Sequence, residues 1–377
     1  MKRITSMKGI SRTSARVLLT GPVLPIYLVH QFIVFGSIYL SKVLYAKTGT
    51  PKNFFQILKY LTNWDGEWYL KIAANGYDTQ SAAFFPLFPL TIRFLHNFGL
   101  NQTIAAILVA NLALLGVVIV FYRLLKLDYP EEISVNATWY LMLFPTSLYF
   151  TASYTEPLFL MMVLIAFYNA RRERWLLSGL AGMLAALTRN WGVFLIIPLL
   201  YEYLNRIHFN LRLVNAAIIW LSLIPIGLAG YMIYLHFHLG DSLAFVTAQS
   251  HWKRSFTYPW QAFGIAFQNI RHDFYFGANL LDLIFASAGV GLMLLGVRRI
   301  RVSYQIYAAI GLLIPLLAAA PWAGLLSMPR FVIVLFPLLI TLAVVTRNQE
   351  TKIGIVAVFA GFLTFFSVLF AQSRWVA

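Results

Sequence analysis

The sequence contains no cysteine, which excludes a disulfide framework, a thiol nucleophile and a thiolate metal site in any compartment. It is also poor in charge: Asp, Glu, Lys and Arg together make 11% of 377 residues, against 60% hydrophobic. So little charge cannot solvate the surface of a chain this long, and a single integral membrane domain over 1–377 is expected. Acids are scarcest of all, 13 against 29 Lys and Arg, for a net charge of +16. Yet no continuous basic tract exists. The cations stand in small clusters between apolar runs, which argues against nucleic acid and fits helix ends that meet anionic lipid. The seven histidines are irregularly spaced, so no metal site is expected, and no cofactor.

What the chain does have is apolar runs, at about 17–45, 104–125, 134–150, 154–170, 175–188, 190–205, 213–238, 276–297, 303–320, 330–346 and 353–371. Lys2, Arg3, Lys8, Arg12 and Arg16 precede the first, which is too long for a signal-peptide core and is expected to be a retained span. Several later runs fall short of the roughly 20 residues a full span needs, which suits helices lining a protein cavity. The fold expected is an all-α polytopic bundle of about eleven transmembrane helices (ten to twelve). Eleven crossings put Arg171, Arg172 and Arg174, Arg206 and Arg212, Arg298, Arg299 and Arg301, and Arg347 and Lys352 all in the cytoplasm. That agreement requires residues 82–99, with two prolines, Arg93 and His96, to be interfacial or half-inserted. Residues 46–103 and 241–275 then lie on the outer face.

The first outer loop holds "LTNWDGEWYLKIAANGYD", residues 61–78, dense in acids and tryptophan for this chain. A helix beginning at Asp65 puts Trp64, Trp68 and Ile72 on one side, a stripe suited to the membrane surface. Glu67 has Lys71 four residues on, which predicts a helix-surface ion pair. Asp78 follows Gly76 and Tyr77 in a turn. Asp65 has no cation at i+3 or i+4, and reads equally as a helix N-cap or a catalytic carboxylate.

On the same face, Pro157 suits the first turn of a helix, which puts Glu156 at an outer N-terminus. An ionisable residue at the mouth of a membrane helix is a functional candidate, although capping alone accounts for it. Arg189 divides two apolar halves, where a charge costs roughly 2.5 to 3.5 kcal/mol unless it meets water or an anion. Arg330 stands at the outer start of another run, a place where snorkelling is ordinary. The long outer loop brings His251, Lys253, Arg254, Arg271 and His272, basic against the positive-inside trend; they suit a lipid phosphate or anionic headgroups equally.

"NWDGEWYLKIAANGYD", "FFPLFPLTIRF", "FTASYTEPLFL", "FYNARRERWLLSGLAGMLAALTRNWG" and "SMPRFVIVLFPLLI", in that order over nearly the whole chain, resemble the signature segments of the PIG-V family of GPI mannosyltransferases and its prokaryotic relatives. That resemblance implies a GT-C glycosyltransferase that takes a polyprenyl-phosphate sugar, here mannose, on the outer or lumenal face. It matches Asp65 to an essential acid of the first outer loop.

A carboxylate to take the acceptor proton and cations to steady the departing phosphate are what such transfer needs. The catalytic candidates are therefore Asp65 and Glu156. Arg189, Arg330, Lys253, Arg254 and His251 are candidates for the donor phosphate, and Trp64, Glu67, Trp68 and Tyr154 for positioning substrate. With Asp65 as base, a single displacement inverts the anomeric centre and needs no metal. The partners expected are membrane lipid, the lipid-linked sugar and a lipid or glycan acceptor, at the plasma membrane of a prokaryote or the endoplasmic reticulum of a eukaryote. The competing readings are a transporter or flippase for a lipid-linked sugar, a non-catalytic membrane subunit, and a GT-C enzyme that uses another polyprenyl-phosphate sugar; the inverted repeat a transporter should show is not evident.

Overall fold

The computed structural model describes residues 21–44, 53–273 and 275–376. The basic amino terminus, with Lys2, Arg3, Lys8, Arg12 and Arg16, lies outside them, as do Tyr45 and residues 46–52 of the first outer loop.

The protein is an all-α polytopic membrane bundle. Among the described residues five helices are long and apolar enough to cross a membrane. They are α1 (Val23–Leu44), α5 (Gln102–Leu125), Ala216–Leu239, whose second part is α10 (Leu223–Leu239), α13 (Phe276–Gly296) and α17 (Gln349–Ala371). The other six apolar runs also form helix, but in short or broken pieces. These are α6 (Glu131–Leu143), α7 (Glu156–Arg171), α8 (Trp175–Ala186), a 3-10 turn over Asn190–Leu195 leading into α9 (Ile196–Arg206), α14 (Val302–Leu316), and the pair α15 (Met328–Ile333) and α16 (Phe336–Val345). The 16 residues of α7 rise about 24 Å, short of a hydrocarbon core of roughly 30 Å. Its position explains how it is tolerated: α7 packs between α5 and α8 and is buried along most of its length, so little of it needs lipid.

Residues 53–100 fold into short surface elements, α2 (Phe54–Lys59), α3 (Asp65–Asn75) and α4 (Leu87–Asn97). At 11 residues, α4 rises about 16 Å, roughly half the thickness of a hydrocarbon core. Phe88 and Ile92 are buried, while Leu90 and Phe94 are exposed. Arg93 ties it down, donating Nε to the Ala73 carbonyl at 2.7 Å and Nη2 to that of Ala74 at 3.1 Å, at the open C-terminal end of α3. The long loop after α10 carries α11 (Ala244–Thr247) and α12 (Pro259–Arg271). Two residues of it, β1 (Ser255–Phe256), pair antiparallel with β2 (Ala318–Ala319), which pins the loop against the region leading into α15.

At the end of the bundle where α7 finishes, ion pairs join segments far apart in sequence. Arg171 pairs with Asp128 and, through Nε at 3.2 Å, with Glu202; Arg301 reaches Glu202 at 2.7 Å and Asp128 at 3.4 Å. Ser303 Oγ donates to Glu202 at 2.7 Å and the Tyr304 hydroxyl to Asp128 at 3.2 Å. Arg206 pairs with Glu173, and Lys352 with Glu132. Members of all four basic clusters expected in the cytoplasm are thus engaged by acids of loops, of helix starts or, for Glu202, of the second half of α9.

Candidate active site

The site begins with a turn. Asn63 and Trp64 link a 3-10 turn (Tyr60–Thr62) to α3, and Trp64 takes φ 62° and ψ −117°, a conformation that L residues rarely adopt. Three contacts hold it there. The Asn63 side-chain amide donates to the Phe370 carbonyl at 2.9 Å, the Tyr154 hydroxyl donates to the Asn63 carbonyl at 3.0 Å, and the Ser153 amide donates to the Leu61 carbonyl at 2.9 Å. Gly66 permits the approach: a Cβ there would stand 3.3 Å from the Ser153 carbonyl oxygen. The turn thereby fixes where the next side chain, that of Asp65, points.

Asp65 is the first helical residue of α3, and its side chain makes no capping bond. Instead Arg330 Nη1 donates to Asp65 Oδ2 at 2.6 Å, while Arg330 Nε donates to Glu156 Oε1 at 2.7 Å. Arg189 Nη1 lies 3.3 Å from the same Glu156 oxygen. The Arg330 guanidinium also lies over the rings of Tyr154, at 4.7 Å, and Tyr149, at 5.3 Å, where the negative faces of the rings favour it. Glu156 is fully buried, with Pro157 in the first turn of α7 as the sequence suggests. Two arginines make that burial tolerable.

Asp65, Arg189 and Arg330 open onto a cavity of about 420 Å³. Arg254, just before β1, lines it too, and its Nε is buried without a protein partner. Burial, with Arg330 close by, pulls the Arg254 guanidinium down to about 10, so it is still charged at neutral pH. Tyr69, one turn beyond Asp65, also faces the cavity, with its hydroxyl 3.3 Å from Thr155 Oγ1; burial and the Asp65 carboxylate push its phenol up and keep it protonated. Three guanidinium groups and one accessible carboxylate, 23% exposed, meet in one pocket. Such a pocket can hold an anionic group and accept a proton from a neighbouring hydroxyl.

Several residues singled out in the sequence are not brought there. Glu156 stands behind the cavity wall rather than on it, so it supports the arginines and touches nothing in the pocket. Glu67 is exposed, and Lys71 bonds Asp78 at 2.8 Å instead of pairing with it, while also lying over the Trp68 ring. The stripe of Trp64, Trp68 and Ile72 divides: Ile72 is buried, Trp68 stacks on Phe84, and Trp64 turns to Trp375. His251 and Lys253 are exposed and line no part of the cavity.

Other residues of the site carry weaker signals in the sequence. Asp282 is the single acid in the run 276–297, a signal that was available, since an ionisable residue inside an apolar run is a functional candidate. It accepts the Met328 amide at 3.0 Å and so anchors the turn before Arg330, where Ser327 has φ 67°. Trp191, Trp252, Trp322 and Trp375 all line the cavity, and no local pattern points to them.

Comparison with known proteins places the chain in a family. GPI mannosyltransferase 2 of Drosophila pseudoobscura pseudoobscura is 31% identical over 119 residues, an alignment that takes in 28% of this chain and 26% of that protein. The chain thus matches about a quarter of the length of that relative. Residues 50–283 match the family described as Mannosyltransferase (PIG-V), a stretch that includes Asp65, Glu156, Arg189 and Arg254 and stops short of Arg330. Covering more than half of the chain, that match makes the protein a member of the mannosyltransferase (PIG-V) family.

Proposed function

We propose that the protein transfers a mannosyl unit from a polyprenyl-phosphate donor to a hydroxyl of a lipid or glycan acceptor, on the extracytoplasmic or lumenal face. The observation that carries the reading is the pocket itself: Asp65 beside Arg189, Arg254 and Arg330, in a chain of the mannosyltransferase (PIG-V) family. Asp65 takes the proton of the acceptor hydroxyl as that oxygen attacks the anomeric carbon, the bond from that carbon to the phosphate oxygen breaks, and the lipid phosphate leaves with the electron pair. A single displacement inverts the centre. Developing charge on the phosphate is met by guanidinium groups already in place.

The arginines divide this work. Arg330 has Nε and Nη1 engaged by Glu156 and Asp65, so it chiefly orients the base. Arg254, with an unpartnered Nε, and Arg189, held by one carboxylate contact, are better placed to grip the phosphate. The outer-face location is supported by the opposite end of α7, where the basic clusters gather as cytoplasmic helix ends do. The test is direct: purified protein is incubated with β-linked polyprenyl-phosphate mannose and mannose-bearing glycolipid acceptors, and the product is examined for a new mannose of inverted, α, linkage. Donor consumed with no glycoside formed, or vectorial movement of intact donor across a bilayer, would sink the reading.

A further inference from the structure

The cavity has an aromatic wall as well as a cationic one. Of the four tryptophans lining it, Trp191 is buried, Trp252 and Trp322 are half-buried, and Trp375 alone is exposed. Trp375 is nonetheless fixed. Gln372 donates to Ser41 Oγ at 2.8 Å, Val376 is buried, and the indole of Trp64 meets that of Trp375 at 5.2 Å with the ring planes 85° apart. A perpendicular neighbour covers at most one face of Trp375, and the cavity borders the residue. Trp64 is also the residue held at positive φ, one step before Asp65. One strained turn therefore sets the base and steadies the tryptophan, which ties the geometry of Trp375 to that of Asp65.

A rigid indole face beside a proton acceptor is suited to a sugar ring. The face is negative, the C–H bonds on one side of a pyranose are weakly positive, and stacking them leaves the ring hydroxyls at the rim free to reach a base. From this juxtaposition we infer that Trp375, braced by Trp64, is the platform on which the acceptor's terminal pyranose stacks, presenting a hydroxyl to Asp65. This deepens the proposed mannosyl transfer by naming the residue that positions the acceptor sugar, and it rests on that reading for the role of Asp65. The donor phosphate occupies the cationic wall and does not use Trp375.

Saturation-transfer NMR with methyl α-mannopyranoside tests this, using the full chain in nanodiscs. The probe is soluble and has no lipid tail, so binding to membrane does not enter. Ring protons should be saturated in the wild type and in Trp375→Phe, and affinity should fall roughly tenfold in Trp375→Ala, with binding of polyprenyl-phosphate mannose unchanged in all three. A melting temperature for each variant separates loss of the platform from loss of the fold, and Trp375→Phe keeps the test open if the alanine variant is unstable. No ring saturation in the wild type, or equal affinity in the wild type and Trp375→Ala, overturns the inference and leaves Trp375 as an interfacial anchor. An equal loss of donor binding in Trp375→Ala also overturns it. Failure of mannosyl transfer itself looks different: the glycoside binds in a manner that depends on Trp375, yet no variant or wild type consumes donor.

Discussion

The two ends of α7 carry two clusters of ionised side chains, about 22 Å apart for the fifteen steps of helix rise from Glu156 to Arg171, and they are built differently. At the Arg171 end, two acids meet two arginines, and both oxygens of Asp128 and of Glu202 are engaged, with Ser303 and Tyr304 completing the set. Arg301 Nε is the one atom left over. At the Glu156 end, three arginines meet Asp65 and Glu156, Glu156 Oε2 and Arg254 Nε have no protein partner, and the cluster borders a cavity. Burying charge is costly unless geometry and hydrogen bonds repay it. The first cluster is closed and neutral, as a clamp on helix ends should be. In the second the excess is positive and faces the open space, which is the condition for receiving an anion.

The sharpest way to break this comparison is at the carboxylate that faces the cavity. Asp65→Asn keeps the volume and the first-turn position, and removes the ability to take a proton. Transfer should fall by about 10²- to 10⁴-fold, while donor binding and thermal stability change little. Turnover within a few-fold of wild type in this variant would reassign Asp65 to holding Arg330.

Next in size is a contrast between the two ends. Arg330→Gln strips a buried Glu156 of its main partner, and Arg171→Gln takes one of two arginines from Asp128 and Glu202, leaving Arg301. Each should destabilise the protein by about 3 to 5 kcal/mol. Only Arg330→Gln should also abolish transfer in the fraction that remains folded. If Arg171→Gln lowers the specific activity of folded protein as severely, the clusters are coupled and the division drawn between them is wrong.

Arg254→Gln is the gentler probe of the open cluster. Its Nε is unpartnered, so no internal pair is lost, and stability should be little altered. Donor affinity should fall roughly ten- to a hundredfold, the cost of one charge-assisted contact of about 1.5 to 3 kcal/mol. Lysine should rescue partly, because it retains charge without the planar fork. Undiminished donor binding would shift the phosphate to Arg189.

How much of this is legible in the chain depends on the range of each interaction. The start of α3 at Asp65 and Pro157 in the first turn of α7 follow from local pattern, and the structure has both; within 82–99 it has the short helix α4. The grouping of basic clusters follows from alternation of loops. Pair identity does not. The expected pairing of Glu67 with Lys71 rests on helix spacing, which sees only the helix; Gly76, at φ 84°, turns the chain back so that Asp78 competes for the lysine and wins. Arg330 and Asp65 are 265 positions apart, and Trp64 and Trp375 further still, so nothing in either segment announces its partner. His251 and Lys253 have the right chemistry for a phosphate, but the register of β1 sends Arg254 to the cavity and leaves them outside.

The smallest effect belongs to an exposed pair that sits in neither cluster. Lys71 and Asp78 are nearly half exposed, at 47% and 46% of their side chains, and bind across the turn after α3. The hydrogen bond from Lys71, with two more from Ser81, holds the Asp78 carboxyl well below the usual carboxylate range. A depressed folded value means the charged form stabilises the folded state. That contribution is complete above the ordinary aspartate value of about 4, and fades as pH falls from there towards the lower folded value. Solvent screens a pair this exposed, so the whole contribution should be under about 1 kcal/mol. Asp78→Asn should therefore lower the melting temperature slightly at pH 7 and not at all at the acid end of that window, with transfer near normal at pH 7. A melting difference that persists unchanged at low pH would show that the turn depends on hydrogen bonds to Ser81, which asparagine makes less well, and not on the charge of Asp78.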